Sequence, residues 1–147
     1  MSNSKATQLL ILTFIIITIG ADTIAQNIYS QYTWEERDKW QQVPKILETM
    51  GVSEGDAIAD IGCHEGYMTF KFVDRVGESG KVYAVDVNKS RLNALNDLLE
   101  EEDIENVVTI KGDYDNPNLE PESLDFAFIM DAYHEMEDYQ DILRHIK

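Results

Sequence analysis

From residue 57 onward, short apolar runs alternate with stretches whose apolar residues recur at helical spacing. Ala57 to Ile61 is small and aliphatic with one acid, Asp60, and reads as a buried strand. Gly62 and Gly66 bracket a turn, Tyr67 to Val76 is helical in pattern, and Gly77-Glu-Ser-Gly80 breaks that helix. Lys81 to Val87 predicts a second strand with Asp86 at its end. Asn88 or Ser90 opens a helix whose apolar face is Leu92, Leu95, Leu98 and Leu99, and Glu100 to Asp103 is its solvated end. Val107 to Lys111 predicts a third strand, followed by Gly112-Asp113. A loop with Pro117 and Pro121 leads to a fourth, Leu124 to Met130, followed by Asp131. Tyr133 to Met136 reads as a loop, and Asp138 to Lys147 as an amphipathic helix with Ile142, Leu143 and Ile146 inside. Upstream, Thr33 caps a predicted helix from Trp34 to about Met50, with Trp34, Trp40, Val43, Ile46, Leu47 and Met50 on its apolar face. Pro44 is expected to kink or split that helix, and Gly51 to stop it.

Alternation of strand and helix, with strands that are apolar almost throughout, argues an α/β fold: a parallel sheet with helices on both faces. In such a sheet the carboxyl ends of the strands share one edge, where ligands bind. The four predicted strands carry acids or glycines at those ends: Asp60 and Gly62, Asp86, Gly112 and Asp113, and Asp131.

The first 25 residues have a different pattern. Lys5 precedes an apolar and hydroxyl run, Leu9 to Ile19, and small residues follow at Thr23 and Ala25. This describes a secretory signal peptide cleaved after Ala25, giving an exported protein, with an uncleaved membrane anchor as the rival reading. The run is shorter than the roughly 20 apolar residues of a membrane span. Residues 26–33 read as a linker and 34–147 as the domain. The 147 residues carry 28 acids against 12 Lys and Arg, a formal charge of −16. That field repels phosphate backbones and disfavours a nucleic-acid substrate. The single cysteine, Cys63, excludes an internal disulfide and is expected to be a small packed residue, with no positive charge nearby to make it a thiolate.

The first turn does not fit a dinucleotide. The last glycine of Gly-x-Gly-x-x-Gly would fall at Tyr67, and no Gly-Lys-Ser/Thr follows a strand. Asp60-x-Gly62-x-x-x-Gly66, with Asp86 closing the next strand, instead resembles the class I S-adenosylmethionine-dependent methyltransferases, across about residues 34 to 147. The resemblance implies a Rossmann-like fold, S-adenosylmethionine as cofactor, and methyl transfer to a small-molecule or protein acceptor. It implies close backbone approach at Gly62 and Gly66, Asp60 near the methionine ammonium, Asp86 on the ribose hydroxyls, Val87 on the adenine face and Asp113 on the adenine amine. Asp131 and the Tyr133-His134-Glu135 segment would border cofactor and acceptor, and Trp34 to Gln42 resembles the helix that often lids the cofactor. His134 is a candidate general base with Tyr133 shaping the pocket, or else a loop histidine bonded to a carboxylate.

Two departures stand out. The family's middle glycine is His64 here, and its seven-stranded sheet would be represented only to the helix after the fourth strand, as in an N-terminal half. A non-catalytic nucleotide-binding fragment is therefore the alternative function. A metal-binding envelope protein is a further one, since His64-Glu65 and His134-Glu135 end strands that would be neighbours; neither pair has the His-x-x-x-His spacing of a helical zinc site, and no metal ligands are assigned. Export also conflicts with a cofactor made in the cytoplasm.

Overall fold

The computed structural model describes residues 33–146; the expected signal peptide and almost all of the linker lie outside the described residues. These residues fall into two compact units divided after Ile46. In the first, residues 33–41 (α1) are helical, with Arg37 Nε donating to Gln41 Oε1 at 3.1 Å and Lys39 paired with Glu36. Trp40, expected on an apolar face, is 69% exposed. The helix predicted over 34–50 is split at Gln42, whose φ is 55°, and α2 runs over Val43–Met50. Pro44 sits in the first turn of α2, where its missing N–H has no helical partner to lose.

The second unit is an α/β sheet. Its elements are β1 (Ala57–Ile61), α3 (Tyr67–Val76), β2 (Lys81–Asp86), α4 (Lys89–Glu101), β3 (Val107–Lys111), β4 (Phe126–Ile129), a 3-10 turn at Tyr133–Glu135, and α5 (Tyr139–His145). Among the described residues the sheet has four strands, all parallel, in the order β3-β2-β1-β4. The chain builds outward from β1 to β3 and then returns to the other side of β1. The order therefore reverses between β1 and β4, the place where open α/β sheets form a crevice.

Strand periodicity divides the core between the two faces. Ala84 packs with Cys63, Leu92, Leu95 and Leu99 under α4, while Ala59, Ile61 and Val85 pack with Ile142 of α5 on the other side. Phe72 of α3 is fully buried and meets the ring of Phe128 edge-on at 5.2 Å. Burying a side chain of that size contributes about 2–3 kcal/mol. Two leucines placed on helix faces by the sequence pattern lie outside: Leu98 is 37% and Leu143 is 43% exposed. Each adjoins a true core position, Leu99 or Ile142, and one residue of helix turns a side chain by about 100°. The second and fourth strands are also shorter than expected, ending at Asp86 and Ile129.

Candidate functional site

The carboxyl ends of β1, β2 and β3 stand side by side. Ile61 is paired with Val85, and Asp86 with Lys111. The amides of Gly62 and Cys63 both donate to the carbonyl of Val85, at 2.8 and 3.0 Å, so the turn leaving β1 leans over the end of β2. Gly62, His64 and Gly66 all have positive φ, at 80°, 54° and 86°. A Cβ on Gly62 would lie 2.5 Å from the Cβ of Ala132, in the loop after β4; one on Gly66 would lie 2.6 Å from Leu95 Cδ1. Both glycines are thus required by packing within the protein: Gly62 lets the two loops at the order reversal meet, and Gly66 seats the start of α3 against α4.

His64 adopts the left-handed backbone that glycine would take, at a cost of about 1 kcal/mol. Its imidazole is half exposed, with Nδ1 3.6 Å from Glu65 Oε1. The unexpected side chain is therefore carried in left-handed backbone with its imidazole turned toward solvent.

The first two acids are buried. Asp60 faces α3, and its Oδ2 accepts from the Thr69 hydroxyl at 2.7 Å in a fully enclosed contact. Asp86 Oδ2 accepts the amide of His64 at 3.0 Å and Oδ1 that of Asn88 at 2.7 Å, while Arg91 Nη1 stands 3.9 Å from Oδ2. Asn88 in turn caps α4, accepting from the amides of Ser90 and Arg91. Val87, between them, is 39% exposed.

The other two strand ends are open. Asp113 is exposed, accepts from Asn118 Nδ2 at 3.1 Å and lies 3.7 Å from Lys111 Nζ. The amide of Gly112 donates to the carbonyl of Asp86 at 3.2 Å, which holds this loop beside the end of β2. Asp131 is exposed with φ 57°. Tyr133 and His134 are exposed on the 3-10 turn; the Tyr133 ring lies 5.0 Å from that of Tyr139, and His134 Nε2 lies 3.8 Å from Glu135 Oε1. Each of the two histidine–glutamate pairs is made with the adjacent residue, and among the described residues no group of three or more His, Cys, Asp or Glu could hold a metal ion.

Cys63 is buried, and burial first, then the carboxylates of Asp60 and Asp86, push its thiol well above the ordinary range. It is a packed thiol rather than a nucleophile, as its place in the turn suggested. Thr69 and Arg91 were not singled out in the sequence. Thr69 could have been found as a polar residue on the inward face of α3, whereas the role of the His64 amide is carried by backbone and leaves no sequence signal.

A family model described as a methyltransferase domain matches residues 58–147, and the chain belongs to that family. It superposes on an S-adenosylmethionine-dependent methyltransferase from Aquifex aeolicus with a TM-score of 0.67 and 29% identity, covering 71% of this chain and 55% of that one. Its Rossmann-like sheet is the fold of these enzymes. Among curated proteins it is similar to two demethylmenaquinone methyltransferases. One, from Lactococcus lactis subsp. lactis, is 29% identical over 114 residues, which is 78% of this chain and 44% of the relative. The other, from a Geobacillus species, is 24% identical over 128 residues, 82% and 54% respectively. The chain spans about half the length of the curated relatives it matches.

Proposed function

We propose that this chain binds S-adenosylmethionine across the carboxyl ends of β1, β2 and β3, and that its protein transfers the sulfonium methyl to a small-molecule acceptor. The observation that carries the reading is Asp86. It is buried at a strand end, beside an exposed apolar residue, Val87, and next to the Gly112-Asp113 loop. A carboxylate has about four lone-pair sites, and two here are used by backbone amides. The remaining sites suit two vicinal hydroxyls of a ribose. Val87 then packs on the adenine, and Asp113, exposed beyond β3, accepts the exocyclic amine. Gly62 and Gly66 keep the turn's backbone close to the ligand, while Asp60, buried and bonded to Thr69, ties the end of β1 to α3 in place of the direct contact near the methionine ammonium that the resemblance implied.

The cofactor supplies an electrophilic methyl group. Asp131, Tyr133 and His134, on the loop that Gly62 touches through Ala132, border the acceptor, with His134 as the base that takes the acceptor's proton and Tyr133 as a wall of its pocket. Family membership and the Aquifex superposition support the cofactor. The names of the two demethylmenaquinone methyltransferases support a small-molecule acceptor over a protein. Export by the segment before residue 26 belongs to the same proposal, and a topology reporter fused to the chain tests it.

Calorimetry with S-adenosylhomocysteine tests the central reading. The full chain is expected to bind it, and Asp86→Ala to weaken binding by about 100-fold or more, since each hydrogen bond to a charged group is worth about 1.5–3 kcal/mol. A folded chain that does not bind sinks the assignment. Binding without turnover favours the second reading, a nucleotide-binding half without activity of its own.

A further inference from the structure

Asp86 does more at the turn than face a ligand. Its carboxylate joins three pieces of chain. Oδ2 takes the amide of His64 from the turn after β1, Oδ1 takes the amide of Asn88 at the start of α4, and Arg91 on that helix stands 3.9 Å away. The carboxylate is buried while both donors sit on exposed residues, and the two part-buried bonds are of the stronger class, made to a charge. The residue whose amide it holds is the one side-chain-bearing member of the three left-handed residues in the turn. The His64 imidazole lies outside, half exposed beside Glu65, so the amide and not the side chain ties this residue to the strand end.

We propose that Asp86 is a positioning residue that clasps His64 in its left-handed conformation and so sets the shape of the Gly62–Gly66 turn before any ligand arrives. The inference rests on the reading of this crevice as a cofactor site and deepens it. One carboxylate then serves both the turn and the ribose. Cofactor binding stiffens the turn, and releasing the clasp weakens cofactor binding even when the ligand-facing lone pairs are intact.

The test replaces the amide between Cys63 and His64 by an ester in the full chain, which removes the donor and leaves the Asp86 side chain whole. Hydrogen exchange is followed in the peptide covering 62–66, with the β3 peptide as a control for global stability, and S-adenosylhomocysteine binding is measured on the same protein. Exchange in the turn is expected to rise about tenfold with β3 unaltered, and affinity to fall about tenfold. Asp86→Asn, which loses one acceptor oxygen, is expected to show the same rise, whereas His64→Gly, which keeps the amide, stays within about threefold of the native turn. Unchanged exchange in the turn of the ester variant overturns the proposal, and so does faster exchange with full affinity. Failure of the folded native chain to bind overturns the cofactor reading instead, and the exchange comparison then decides the clasp by itself.

Discussion

The ends of β1 and β2 and the ends of β3 and β4 carry the same residue type in opposite physical states. Asp60 and Asp86 are buried and hydrogen-bonded, the first to a helix hydroxyl and the second to two backbone amides. Asp113 and Asp131 are exposed. A buried carboxylate is costly unless bonded, so the chain around Asp60 and Asp86 is fixed by the need to satisfy them. An exposed carboxylate can also be satisfied by water, so the bond Asp113 takes from Asn118 is less binding on the chain around it. The buried half of these strand ends, at the central β1 and β2, is therefore built before a ligand enters, and the exposed half, at the flanking β3 and β4, presents side chains open to solvent. In the proposed reading the built half holds the ribose at Asp86, while the exposed half meets the adenine amine at Asp113 and the acceptor near Asp131.

Substitutions at the two halves are expected to separate accordingly. The largest effect on stability falls at Gly62, where an added Cβ meets that of Ala132 at 2.5 Å and φ is 80°. Gly62→Ala is expected to lower stability by about 2–4 kcal/mol in a urea titration; a loss below that range would mean the loop after β4 yields, and that the two halves are less firmly joined. Thr69→Val comes next. It keeps the shape but takes the hydroxyl from Asp60, at a cost of about 1–3 kcal/mol, and a neutral outcome would show that the first acid is not held by α3. His64→Gly relieves a left-handed residue and is expected to raise stability by about 0.5–1 kcal/mol. Denaturation of that variant reads the sign directly. The smallest change is at His134, whose side chain is 73% exposed. His134→Gln should move the melting midpoint little, by less than about 0.5 kcal/mol, yet lower kcat about 100-fold with cofactor affinity retained if it is the base. A large stability loss there would place the histidine in the built half.

Much of the sheet was legible because apolar strands and glycine turns are local signals. β1, α3 and β3 fall where periodicity placed them, and Asn88 caps α4 through its side chain as the pattern allowed. Three of the misreadings share one cause. Leu98, Leu143 and Trp40 are apolar residues near a helix face, and composition alone cannot tell the center of a face from its margin. Tyr133 to Glu135 forms a 3-10 turn where a loop was expected, since three residues carry too little periodicity to mark it. Asp86 stood out as an acid ending a strand, but the amide it holds, 22 residues away, did not.

By itself the sequence determined the order of strands and helices, the gathering of acids and glycines at one edge of the sheet, and the resemblance to the methyltransferase family. These follow from local periodicity and from the rule that parallel strands end on the same side. Only the tertiary structure decided which acids are buried and what each one holds. It showed that Gly62 and Gly66 are required by Ala132 and Leu95, and that His64 can take a glycine's place by turning its side chain to solvent and giving its amide to Asp86. Such contacts join residues far apart in the chain, and burial, which sets their strength, is a property of the packed molecule and of no single stretch of it.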